Sequence, residues 1–271
     1  MTGGPAVPDT ISRRLNAERI VVVGWPRAIL LQLAHPLVAA GVADHSTFRR
    51  GPFTAVMRLH YTIRAMLALT FGDEQQRTAS LEGIRAIHRR VNGSLRETTG
   101  IFPAGTRYSA EDPDLVLWVH GTLLETIPLV YELLVGPITP DERDAYCDEA
   151  AAIAIDLGAR PADVPRTWRD TTAYLTRMYA SGAIAVGRDA TDLTASVLSP
   201  LGVAAAPLGW MNRLLTVGLL PDNVRRMYGY AWSERHERRF RRLAAVMRAG
   251  RRIAPAPVAL WPEARHVSSR V

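Results

Sequence analysis

No lysine occurs among the 271 residues, so every one of the 33 Lys/Arg positions is an arginine. That absence removes Schiff-base chemistry, a pyridoxal-phosphate anchor and a Walker-type phosphate lysine. Cysteine is nearly missing as well. The lone Cys147 excludes an intramolecular disulfide, an all-cysteine zinc or iron–sulfur site and the C-x-x-C-H haem attachment, so any haem is held noncovalently. A single free thiol suits a reducing, cytoplasmic setting. The start, MTGGPAVPDT, has no charged segment followed by an apolar one, and no signal peptide is expected. H-E-x-x-H and H-x-x-E-H zinc patterns, a G-x-S-x-G elbow, a dinucleotide fingerprint and a calcium loop are all absent.

Strand patterning is missing too. Ile20–Val23 is the one candidate strand, and it has no obvious partner. Nearly every apolar segment instead recurs with the 3.6-residue period of a helix. With 48 % hydrophobic and 22 % charged residues the chain has ordinary globular composition. The longest apolar run, Ile20–Val42, is interrupted by Pro26, Arg27, Gln32, His35 and Pro36. Charge at bilayer depth is costly, which favours a buried helix from Trp25-Pro26 that Pro36 ends or kinks, rather than a membrane span. Further helices are expected over 52–71, 81–93, 113–135, 140–157, 165–180, 189–199, 207–218 and 221–249, with a glycine-punctuated loop over 94–107. The reading is all-α: a single globin-like helical domain of roughly eight to ten helices. It divides into an N-terminal arm (1–10), the helical domain (11–249) and a Pro/Arg-containing tail (250–271).

The central stretch is LEGIRAIHRRVNG, residues 81–93. Leu81, Ile84, Ile87, His88 and Val91 fall on one helical face, while Arg85, Arg89 and Arg90 point elsewhere. A neutral imidazole on an apolar face is either a core histidine or a metal or haem ligand. His35, at a helix end before Pro36, either bonds a backbone carbonyl or shares an interior with His88. His45 lies in a polar connection. His120 follows Trp118 on a strongly apolar helix and suits a pocket. His60 faces outward, and His236 and His266 sit among arginines. Arg58 and Thr62 stack at i and i+4 on the helix 52–71. A guanidinium there needs an anionic partner, either a helix carboxylate or a ligand carboxylate such as a haem propionate.

Taken in order, LLQLAHPLVAAGVADHSTF (30–48), RLHYT with its downstream FG (58–72), IHRRVNG (87–93) and YSAEDPDLVLWVHGTL (108–123) resemble the MpaB-type and rubber-oxygenase (latex-clearing protein) catalytic domain family. PDERDAY (140–146), MYASG (178–182) and LLPDNVRRMYGYAW (219–232) extend the resemblance over nearly the whole chain. It implies a globin-like fold around haem b and a haem-dependent oxygenase that uses O2 on an unsaturated, isoprenoid-like hydrophobic substrate. By the family's His-x-x-Val pattern, His88 is the proximal iron ligand. Its Arg-x-x-x-Thr pair falls on Arg58 and Thr62, beside the haem. A lysine that caps the iron in rubber-cleaving members is replaced by Tyr61, a departure that weakens the transfer of that cap and of rubber as the substrate. His35, His45, Tyr61, Trp118 and His120 are the pocket candidates, with Leu30, Leu33, Leu67, Leu117 and Leu124 as apolar walls.

The net charge of +7 is concentrated at one end: from Arg225 onward 12 arginines face only Glu234, Glu237 and Glu263. Such an end suits anionic lipid or nucleic acid, or is a solvated face. A solvated face is the commoner outcome for such arginines, with peripheral membrane contact as the alternative. A DNA-associated regulator is disfavoured, because 225–249 shows no helix-turn-helix with base-reading polar residues. The alternatives to an oxygenase are a non-enzymatic haem- or lipid-binding helical protein and a family member that has lost haem.

Overall fold

The computed structural model describes residues 10–45, 52–199 and 206–264, and only the backbone of 52–59 and 206. Among the described residues it is predominantly α-helical, with fourteen helices, ten of them nine residues or longer, and one two-stranded sheet. The chain opens with α1 (Ile11–Ala17), a 3-10 helix (Arg19–Gly24), α2 (Trp25–Leu33) and α3 (Pro36–His45). Ile20–Val23 is therefore 3-10 helix and not strand. Pro36 separates α2 from α3 at a bend of 108°, and no single described helix is long and apolar enough to cross a membrane. The arm, residues 1–9, lies outside the described residues.

Next come α4 (Pro52–Phe71) and α5 (Glu74–His88). An Asp73/Gln76 capping box starts α5 by satisfying two otherwise unpaired N–H groups. The expected loop over 94–107 is instead closed by a short hairpin, β1 (Asn92–Ser94) antiparallel to β2 (Arg107–Ser109). Strands of three residues carry too little alternation to be seen in sequence. The register also demands glycine: a Cβ at Gly93 would sit 2.5 Å from the Tyr108 hydroxyl.

Helix α6 (Pro113–Leu134) is the axis of the molecule. Asp112 caps it, its carboxylate accepting from the Asp114 N–H at 2.9 Å, and Pro113 occupies the first turn. Fourteen of its residues are buried. The 3-10 helix and α2 pack on it, as do α7 (Pro140–Asp156), α8 (Trp168–Ala180) and α12 (Glu234–Ile253). The main core gathers Leu30, Leu31, Leu33, Leu117 and Trp118 with Leu175, Leu193 and Val224.

Helices α9 (Arg188–Leu198), α10 (Ala206–Leu219) and α11 (Asp222–Met227) precede α12. The single helix expected over 221–249 is thus two. Gly229, at φ +72°, breaks it in a conformation that side-chain-bearing residues avoid. Helix α12 also continues four residues past 249. The tail then forms α13 (Ala256–Ala259) and folds back on the N-terminus, where the Trp261 N–H donates to the Ala17 carbonyl at 3.0 Å. Buried Glu18 pairs with Arg251 across 233 positions of sequence.

Candidate functional site

Five helices and the hairpin enclose a cavity of about 410 Å³. Helices α2 and α3 contribute Gln32, Leu37, Val38, Gly41, Val42 and His45. From α5 and the residues just after it come Ile84, Ile87, His88 and Val91. Strand β2 and the turn that follows supply Tyr108, Ser109 and Ala110. Helix α6 adds Leu115, Val116, Val119, His120 and Leu123, and the end of α7 closes the wall with Ile153, Ala154 and Leu157. Ile87, 55 % exposed although it lines the cavity, stands at its mouth.

Of the expected stripe, Ile84, Ile87, His88 and Val91 line the cavity and Leu81 is buried, but the helix expected over 81–93 runs instead from Glu74 to His88, so Val91 lies just past it and Asn92-Gly93 opens β1. Arg85 turns away and donates to the Asp156 carbonyl at 2.8 Å. His88 Nδ1 is buried with no hydrogen-bond partner. Burial lowers the pKa of this imidazole below its ordinary value, against a smaller opposing pull from Glu111. His120 is more deeply buried, its Nε2 likewise without a partner, and desolvation lowers its pKa to about 4. Both rings are therefore neutral near pH 7. Several other polar atoms are buried and unpaired, among them Trp25 Nε1, Trp118 Nε1 and the Tyr179 hydroxyl. Of that set only His88 and His120 border this cavity.

His45 is held differently. Its Nε2 meets the Asn92 carbonyl at 2.9 Å and so carries the proton, which ties the end of α3 to β1. Its ring stands edge-on to Tyr108 at 6.3 Å. The Tyr108 hydroxyl donates to Asp44 at 2.6 Å, and Arg96 pairs with the same carboxylate. A polar latch thus joins helix and hairpin along one edge of an apolar space.

The other candidates fall elsewhere. His35 is buried against Phe102 of the hairpin loop, ring centroids 5.2 Å apart, and is outside the cavity. It does not bond a carbonyl through its Nδ1, and desolvation takes its pKa to about 4. Trp118 is wholly buried in the main core, edge-on to Tyr179. Tyr61 is 63 % exposed, and Thr62 beside it is exposed and outside the lining. The Arg58 side chain lies outside the described residues. The wall residues need correction. Leu30, Leu33 and Leu117 belong to the main core, Leu124 to a second core, and Leu67 lines only a small crevice beside Ile63 and Met66. On α6 the cavity takes the stripe 115/116/119/120/123 instead. Because α6 is apolar all round, its pattern cannot say which stripe faces the opening. Tyr108 and Gln32 were also unforeseen, although both lie within the motif segments. Cys147 is buried against Thr171 at 3.4 Å, away from the cavity, and burial pushes its thiol pKa up.

No group of three or more His, Cys, Asp or Glu among the described residues is placed to chelate a bare metal ion. What the geometry offers is an apolar chamber with two neutral, uncommitted imidazoles. Residues 12–249 match the family model described as the ER-bound oxygenase mpaB/B′ and rubber oxygenase catalytic domain. The chain belongs to that family of oxygenase catalytic domains. It is 28 % identical over 243 residues to an uncharacterized protein of Mycobacterium bovis and, equally, to one of Mycobacterium tuberculosis, with 84 % of this chain and 87 % of each relative covered. No solved structure gives a significant match.

Proposed function

We propose that the cavity houses haem b on His88 and that the protein is a haem-dependent oxygenase acting on an unsaturated, isoprenoid-like hydrophobic substrate. The observation that carries this reading is that two neutral imidazoles, half-buried His88 and buried His120, border one otherwise apolar cavity and make no hydrogen bond among the described residues. The residues fit the group. A neutral imidazole on a helix is the usual noncovalent haem ligand, and the aliphatic walls suit a flat apolar ring. The basic partner for the propionates is Arg58, by the family's Arg-x-x-x-Thr pattern, whereas Thr62 lies outside the cavity lining.

When bound, ferrous haem supplies O2 binding and activation. The chain does the rest. His88 holds the cofactor from α5. Leu115, Val116, Val119 and Leu123 line the same cavity and would keep water from a substrate held there. His120 borders the same space with a neutral ring. Ile87 at the mouth sets the width of entry.

Protein purified from haem-supplemented cells should show a Soret band that shifts on dithionite and CO, and His88→Ala should abolish it. A flat visible spectrum would overturn the haem assignment. A Soret band without consumption of O2 on any polyunsaturated isoprenoid would instead favour a haem-binding protein that is not an enzyme.

A further inference from the structure

A second feature shares no lining residue with the cavity. Between α10 and α12 runs a groove of about 370 Å³, lined by Trp210, Arg213, Tyr230, Trp232, His236 and Arg239 among others, and by no carboxylate. Its rings are held in place from behind. Buried Arg225 donates to the Val217, Gly218 and Leu220 carbonyls and lies 4.6 Å from the centre of the Trp232 ring. Trp232 in turn stacks on His236, and the Arg213 guanidinium sits 4.9 Å from the centre of Tyr230.

Arg239 also begins a stripe along α12. At helical spacing Arg235, Arg239, Arg242, Val246 and Ile253 share one exposed face. The two glutamates of this helix lie off that face and are matched one turn on, Glu234 with Arg238 and Glu237 with Arg241. Arg213, Arg235, Arg239 and Arg242 have no ion-pair partner among the described residues. The positive charge of the stripe is therefore uncompensated. Its aliphatic members are equally bare, Val246 at 69 % and Ile253 at 86 % exposed, and Trp210 is half exposed beside the groove.

We propose that this face docks the protein on an anionic lipid bilayer. Free arginines attract the headgroups, while Val246, Ile253 and Trp210 enter the headgroup–acyl boundary, where aliphatic and indole groups both gain. Duplex DNA would answer the arginines equally well but would give Val246 and Ile253 nothing. The proposal stands apart from the haem reading.

Vesicles of phosphatidylcholine, with and without phosphatidylglycerol, should discriminate. The full-length protein should float with the anionic vesicles and not with the neutral ones. Arg239→Ala/Arg242→Ala should weaken that partition by about 25-fold, roughly five-fold for each arginine. Val246→Ser/Ile253→Ser should weaken it without changing its salt dependence. All four positions are exposed, so the variants keep the wild-type melting curve, and haem content is unaffected. Failure to bind anionic vesicles, or binding undiminished in either double variant, would overturn the proposal. So would tight binding to duplex DNA that persists in Val246→Ser/Ile253→Ser.

Discussion

Helix α6 buries polar groups in two regions, and they are treated in opposite ways. Toward its C-terminal half, Arg27 reaches in from α2 only 2 % exposed, and every nitrogen is satisfied. Its Nε donates to the Leu219 carbonyl at 2.8 Å, one terminal nitrogen to Thr126 at 2.5 Å and the other to Glu125 at 2.6 Å. Two turns earlier, His120 is nearly as buried and has no partner at Nε2. A charge buried for the sake of the fold must be paired, because an unpaired one would cost several kcal/mol, a large share of a domain's margin of stability. A neutral imidazole facing a chamber can be left uncommitted at modest cost, and is then available to a ligand.

The comparison breaks most visibly at Arg27. Arg27→Met leaves Glu125 and Thr126 without their donor and should cost about 3–5 kcal/mol, read as a lower denaturant midpoint at unchanged slope. An unaltered midpoint would mean that the network does not hold α2, α6 and α10 together.

Acid should expose the other side. The folded-state pKa of His35 and of His120 lies near 4, below the ordinary 6.5, in both cases because of burial. Between those values the unfolded chain takes up protons that the folded chain refuses. Stability is thus fully present above about pH 6.5 and is lost as the pH falls toward 4, by about 3 kcal/mol for each histidine. His35→Gln should remove one share of that slope without touching the cavity. Denaturant titrations of the haem-free protein at pH 7, 5.5 and 4.5 would check this, and a slope unchanged in the variant would contradict the burial of His35.

The smallest effect sharpens the contrast. His120→Leu exchanges an unsatisfied polar group for an apolar one of similar size, and should raise the stability of the haem-free protein by about 1 kcal/mol. The same change made at Arg27 destabilises. A loss of stability in His120→Leu would show that His120 has a structural partner.

Much of the architecture could be read directly. The starts at Asp112-Pro113 and Thr139-Pro140, the end of α2 before Pro36 and the cavity-facing stripe of α5 all follow from local rules. His88 was legible because α5 is amphipathic and only one of its faces can be buried. His120 was harder, because α6 has no polar face to orient it. The hairpin was missed because its strands are held by tertiary register. The split between α11 and α12 at Gly229 was hidden by arginines and apolar residues that continue the helical pattern through the break.

The sequence by itself determined the class of the fold, the lengths of most helices and the segments that mark the oxygenase catalytic domain family. It did so because periodicity, capping and proline act within a few residues. Tertiary structure alone decided that His88 and His120 share a chamber while His35 lies under Phe102, and that the Leu117 and Leu124 stripe faces the core. It also decided that Arg27 finds three partners and that Arg239 finds no ion pair among the described residues. Each of those outcomes depends on which neighbour covers a side chain, and the neighbours lie tens to hundreds of residues away in the chain.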